Sequence, residues 1–344
     1  MYDRNPFLQL LVVRLKEFAR EPEVVFWVFG FPILLAVGLG IAFRNKAPDE
    51  IAVAVIDAPG ADDVMRALPA KDGFKVEAVA RAEADGALRL GKVALVVVPG
   101  GTYEYRFDPT RPDSLLARQR VHDALERAAG RVDPVPARDD LVTQPGGRYI
   151  DFLIPGLLGM NIMSGGMWGV GFVIVDMRSR KLLKRLIATP MRRGHFLGAM
   201  MMSRMLFVIL EMILLLFFGW LVFDMVVQGR FVWIASLAII GAFAFAGLGL
   251  LVATRAQKTE TVSGLMNLVM LPMFVFSGIF FSADRFPAVI QPVVKALPLT
   301  ALNDALRAVI LEGADLSSQL GRIGILLAWG AVSFALALRM FRWN

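Results

Sequence analysis

The chain contains no cysteine among its 344 residues. A disulfide framework and a thiolate metal site are both excluded by that absence. Histidine is almost as scarce: His122 and His195 lie far apart and do not make a metal centre. A working phosphate loop is missing too. Residues 86–93, GALRLGKV, have the spacing G-x-x-x-x-G-K, but Val93 stands where Ser or Thr would bind magnesium. The stretch follows a predicted helix and runs into a predicted strand, the reverse of what a phosphate loop needs. The chain is not expected to hydrolyse ATP in that manner. Its net charge of +7 collects largely at the edges of apolar runs, so no nucleic-acid partner is expected.

What is present is apolar: 56% of the residues, with a mean hydropathy of +0.59. Six runs approach or exceed the roughly 20 residues that cross a bilayer core. They lie at about 24–43, 149–175, 196–223, 231–253, 262–281 and 323–341. The first is read as an uncleaved anchor, because it starts late, is long and lacks a cleavage site. Ahead of it, residues 5–21 place Phe7, Leu8, Leu11, Val12, Leu15 and Phe18 on one face, the pattern of a helix lying on the cytoplasmic leaflet. Trp220 and Trp233 flank one turn between spans, and Trp27 and Trp343 mark span ends, as aromatic belts do.

The stretch 176–195, DMRSRKLLKRLIATPMRRGH, carries seven Lys/Arg against one acid, Asp176. Such a short loop stays cytoplasmic. Within it, Leu182, Leu183, Leu186 and Ile187 form one apolar face of a two-turn helix over 181–188, with Lys181, Lys184 and Arg185 off that face and Pro190 as its stop. The helix is a handle that a soluble partner can push; the plainer alternative is that the charges only fix topology.

Residues 44–149 change character, with 16 Lys/Arg and 17 Asp/Glu. Strands are predicted at 51–57, 74–79 and 93–98, and helices at 61–70 and 112–130, which together make a small α/β domain. One span before it places it outside the cytoplasm. Between the fifth and sixth spans, residues 282–322 are broken by Pro287, Pro292 and Pro298. The pieces 288–297 and 300–311 are too short to span and predict a hairpin dipping into the outer leaflet, where only protein or a water-filled cavity can cover their backbone. The fold class is thus an α-helical polytopic membrane protein: six transmembrane helices with an extracytoplasmic α/β domain inserted between helices 1 and 2. The domains run 1–22 (interfacial helix), 23–43 (helix 1), 44–148 (α/β domain) and 149–344 (helices 2–6). The last holds the cytoplasmic helix at about 180–190 and the hairpin at about 284–312.

Glu211 sits near the middle of the third span, about 15 Å of helix from its outer end. An ionisable group at that depth is costly and points to function. It lines a transport path or a seam between two copies, or else it is a packing residue. Arg204 lies on nearly the same face, but about 10 Å away along the axis, which reads as too far for an easy pair. Asn161 and Asn267 are weaker candidates of the same kind. Asp304 and Arg307 in the hairpin form a candidate gate, or alternatively belong to a capped surface helix. Gly165 and Gly169 have the spacing that lets helices approach closely. Met200–Met202 with Met205 reads as adaptable packing.

Three stretches carry a family resemblance. RKLLKRLIATPMRRGHFLGA (180–199) has a leucine-rich short helix running into Thr-Pro and a basic pair. SGIFFSADRFPAVIQPVVKALPLTALNDALR (277–307) has a Ser-Gly-x-x-Phe exit, a Pro-Leu-Thr and a later Arg. The third is the amphipathic N-terminal stretch. Together the chain resembles the membrane subunit of ABC-2 type exporters, the permeases that move drugs, lipids and polysaccharides out of bacteria. One departure is Met177–Arg180, MRSR, where many relatives carry an acidic residue and a glycine.

The resemblance implies a permease subunit, not itself an enzyme, in a bacterial inner membrane with both termini cytoplasmic. It implies pairing with a second copy or a sister permease, contact with membrane lipid, and docking on a separate ABC ATPase subunit that holds ATP and magnesium. This chain would hold no cofactor or metal. Arg180, Lys181, Leu182, Leu183, Lys184, Arg185, Leu186 and Ile187 would meet the ATPase. The implied cargo is a drug, lipid-like or other amphipathic compound; a polysaccharide is an alternative. A proton-coupled secondary transporter using Glu211 is a further alternative, although no inverted repeat is visible. A membrane-anchored sensor would need an output domain that these residues do not encode.

Overall fold

The computed structural model describes residues 6–43, 50–132, 146–182 and 193–340, with side chains from 198 onward in the last stretch. The chain divides into two compact units: Met1–Asn45 with Thr143–Asn344, and Lys46–Val142.

The first unit begins with α1, Pro6–Arg20, followed by α2, Pro22–Val25. The helix then widens into a π turn, Phe26–Gly30, and continues as α3, Phe31–Ala42. After the second unit comes α7, Tyr149–Gly166, a second π turn, Met167–Phe172, and α8, Val173–Ser179. Then follow α9, Arg193–Phe223, α10, Phe231–Ala253, and α11, Thr259–Phe276. Two shorter helices, α12, Gln291–Ala296, and α13, Pro298–Glu312, precede α14, Leu320–Met340. Six helical segments among the described residues are long and apolar enough to cross a membrane. In lipid the helix is the form that satisfies each backbone group within its own segment.

Burial separates centre from periphery. The apolar windows of the second and fourth spans are each 67% buried, while the other four are 17–33% buried. Leu153, Leu157, Ile162, Met163 and Phe245 from these two spans lie fully inside, joined by Leu302 and Leu306 of α13. The third span turns Leu206, Leu210, Ile213, Phe217 and Leu221 outward and buries Arg204, Glu211 and Met212. Apolar side chains facing outward, with the ionisable pair kept inside, suit a lipid solvent.

The second unit is an αβα sandwich. Its strands are β1, Ile51–Ile56, β2, Phe74–Val79, β3, Leu95–Val98, and β4, Glu104–Arg106, in the order β2-β1-β3-β4. β1 runs parallel to β2 and β3, with Val53 opposite Val76 and Leu95; β4 is antiparallel to β3. Helices α4, Ala61–Ala67, and α6, Pro112–Ala128, cover Val53, Val55, Leu95 and Val97, while α5, Arg81–Arg89, covers Ala54, Ile56 and Val96. The G-x-x-x-x-G-K match starts inside α5 and ends in the turn before β3, so it cannot cradle a phosphate.

Several boundaries depart from expectation. β4 was invisible to pattern because three residues carry no measurable alternation. The fifth span stops at Phe276 instead of 281, since Gly278 takes a left-handed φ of 70° and turns the chain. α13 is not a surface helix: Leu299, Leu302, Ala305, Leu306 and Val309 are all in the core.

Candidate functional site

A chain of polar groups crosses three spans of the first unit. Arg204 and Glu211 are 7% and 2% exposed. Arg204 Nη1 donates to Glu211 Oε1 at 3.0 Å and Nη2 donates to Oε2 at 3.2 Å. The expectation that they stand too far apart is therefore corrected. Positions seven apart share a helix face, and two long side chains leaning toward each other close the axial gap. A bidentate guanidinium–carboxylate pair is among the strongest hydrogen-bonded arrangements.

The second span makes the room. A Cβ on Gly165 would overlap the Arg204 guanidinium, and one on Gly169 would touch Arg204 Cδ at 3.5 Å. These glycines admit a side chain, not a neighbouring backbone. Close backbone contact falls instead at Gly166 and Gly171, which press on Phe245 and on the Gly249 carbonyl of the fourth span. Arg204 Nη2 also donates to the carbonyl of Asn161 at 3.3 Å, and Asn161 Nδ2 donates to the carbonyl of Val28 at 3.3 Å. Val28 lies in the π turn of the first span.

A second polar cluster joins α13 to the second span. Arg307 Nε donates to the Phe152 carbonyl at 3.2 Å, Nη2 donates to the Gly278 carbonyl, and the guanidinium lies 3.6 Å from the centre of the Phe152 ring. Its ion pair with Asp304 is looser, at 3.8 Å. Asn303 Nδ2 donates to the Ser277 carbonyl at 2.8 Å. Gly156 and Gly159 of the second span leave space for the Ile279 carbonyl and for the Asn303 amide.

The remaining expected residues are scattered. Asn267 is exposed on the fifth span beside Leu268 and Leu271 and is not brought to Glu211. Arg180 Nε donates to Asp176 Oδ1 at 2.9 Å; Lys181 is exposed with φ 58°, which breaks the helix there, and Leu182 is half-buried. Leu183, Lys184, Arg185, Leu186 and Ile187 lie outside the described residues.

Two cations were not singled out as site residues from sequence. Arg178 Nη1 donates to the carbonyls of Ala253 and Ala256 at 3.2 and 2.9 Å, tying the end of the second span to the end of the fourth. Arg148 pairs with Asp151 at 2.9 Å in a capping box at the start of the second span, and those hydrogen bonds hold its guanidinium above its ordinary pKa. The signal for each was a cation placed just beyond or just within a span end.

No group of three or more metal-ligating side chains occurs among the described residues. The paired charges are held in fixed places inside an apolar bundle, as suits a protein that spans a membrane. Comparison with known proteins points the same way. The chain is 22% identical to the linearmycin resistance permease protein LnrN of Bacillus subtilis (strain 168), over 97% of this chain and 99% of that protein. It is 31% identical to nodulation protein J of Rhizobium leguminosarum bv. viciae over 31% of this chain and 40% of that protein. It is 27% identical to the inner membrane transport permease YhhJ of Escherichia coli (strain K12) over 29% of this chain and 27% of that protein. The profile of the ABC-2 family transporter proteins matches residues 22–339, nearly the whole chain, and the chain therefore belongs to that family of multi-pass membrane permeases.

Proposed function

We propose that this chain is the membrane subunit of an ATP-driven exporter and works with a separate ATPase subunit. The observation that carries this reading is the family match over residues 22–339 in a chain whose G-x-x-x-x-G-K spacing lies in a helix-to-strand turn. The fuel must then be burned elsewhere. The basic stretch 176–195 is the docking element, with Leu182, Leu183, Leu186 and Ile187 facing the ATPase and Arg180, Lys181, Lys184 and Arg185 setting its orientation. The arrangement is the one sketched from sequence: two permeases, identical or sister, in a bacterial inner membrane, both termini cytoplasmic, the α/β unit on the outer side. Asp304 and Arg307 then lie at the exit, and Glu211, Asn161 and Asn267 belong to the path or the seam between copies.

The cargo we favour is an amphipathic or lipid-like drug. A relative along almost its whole length is named for resistance to linearmycin. The interior charge, moreover, is already paired within the chain. A polysaccharide would call for a broad polar channel, which the apolar core offers little to build. A proton-coupled carrier using Glu211 is disfavoured because Arg204 occupies both carboxylate oxygens.

Reconstituted vesicles test the energy source. With the partner ATPase present, efflux should need ATP and survive collapse of the proton gradient. Efflux that follows the proton gradient without any ATPase would reject the reading.

A further inference from the structure

Two of the six spans contain a wide turn, Phe26–Gly30 in the first and Met167–Phe172 in the second. Such turns are rare and recur at functional sites. In the first, the Phe31 N–H reaches back to the Phe26 carbonyl, five residues earlier. A wide turn holds one residue more than an α turn, so shifting it along a helix rotates the residues it passes by roughly 100°. Left alone it is a natural place for a span to pivot.

We infer that Asn161 and the Arg204–Glu211 pair form a positioning strut that locks both wide turns to the third span, so that the first three spans move as one body. Asn161 spends its side-chain N–H on Val28, a carbonyl inside the first wide turn, at 3.3 Å. Its own carbonyl, less than two turns before the second wide turn, receives Arg204 Nη2 at 3.3 Å. Glu211 then holds the guanidinium at both ends, 3.0 and 3.2 Å. Gly165 fixes where the guanidinium sits, since any side chain there would overlap it. On its far side the second wide turn is wedged by Gly171 against the Gly249 carbonyl of the fourth span. The second turn is thus gripped from two directions and the first from one. Rotation of the second span about its wide turn would pull the Asn161 carbonyl off Arg204, and rotation of the first span about its own would pull Val28 off Asn161. Arg204 and Asn161 act through the backbone, which makes them positioning residues, and neither need touch cargo.

Hydrogen exchange of the purified full-length chain in lipid nanodiscs, with any partner that accompanies it, tests the strut without needing ATP hydrolysis or transport. Failure of the strut therefore leaves the transport assignment standing. In Asn161→Leu the ion pair is intact and the link to Val28 is cut. Exchange in peptides covering 26–31 should rise roughly three- to tenfold, the loss of one hydrogen bond, while 167–173 stays unchanged. In Arg204→Met/Glu211→Leu, which buries no unpaired charge, both regions should speed up by a similar factor, and 231–253 should not. The strut is refuted if Asn161→Leu leaves 26–31 unchanged, or if the double variant alters only the 204–211 region. Should the double variant fail to insert, Asn161→Leu alone decides the matter.

Discussion

Removing one partner of the Arg204–Glu211 pair strands the other charge among apolar side chains, and breaking a buried pair in this way costs about 3–5 kcal/mol. Glu211→Ala should therefore lower the thermal midpoint of the detergent-solubilised chain sharply. Arg204→Met/Glu211→Leu should recover most of that loss, because apolar replacement of a whole buried pair is often neutral. The six tryptophans supply the fluorescence readout; thiol-reactive dyes have nothing to label. A double variant as unstable as Glu211→Ala would mean that the pair is not the main source of the loss. Glu211 was visible in the sequence as a charge at bilayer depth. Its partner was not, because the axial distance between the two backbones exceeds a hydrogen bond, and only the reach of an arginine added to that of a glutamate covers the gap. The Asn161 carbonyl was beyond sequence reasoning altogether, since a backbone acceptor leaves no residue-type signature.

At the level of elements, the hairpin between the fifth and sixth spans is held by the buried apolar face of α13 and by specific polar contacts to the second span. Arg307→Ala would remove donors to the Phe152 and Gly278 carbonyls and the contact with the Phe152 ring. Leaving buried carbonyls without a donor costs about 1–3 kcal/mol. The variant should unfold at lower temperature, and proteolysis within 277–297 should speed up more than elsewhere. Equal protection there in variant and parent would show that α13 is held by its apolar face alone. At the other end of the spans, Arg178→Ala should loosen the tie between the second and fourth spans. Faster hydrogen exchange at 253–258 is the expected sign; unchanged exchange there would place the tie elsewhere. Periodicity and hydropathy located the long helices well, since runs such as 231–253 are apolar throughout. They missed the wide turns and the early end of the fifth span, because neither changes composition. A π turn differs from an α turn by one residue of register, and the turn at Ser277–Gly278 is set by the left-handed glycine within a run that stays apolar.

For the whole molecule, division into a lipid-facing bundle and an α/β unit with its own core predicts that residues 46–142 fold alone. That fragment should be soluble and unfold in one cooperative urea transition; a molten or aggregated fragment would show that it depends on the bundle. This unit was legible from its even charge balance and from short Val-rich runs bounded by Gly and Pro. Its fourth strand was not. The six spans were legible from length and apolar composition, and the family from the stretches at 180–199 and 277–307, although half of the first falls outside the described residues. The central claim, that this permease is driven by a separate ATPase through its basic loop, is tested most directly by co-purification from native membranes. The intact chain should bring down an ATPase whose activity can be measured, and a Leu186→Asp/Ile187→Asp chain that still inserts should lose it. Identical behaviour of the two chains, with no ATPase beside either, would contradict the account and leave the loop as a topology signal only.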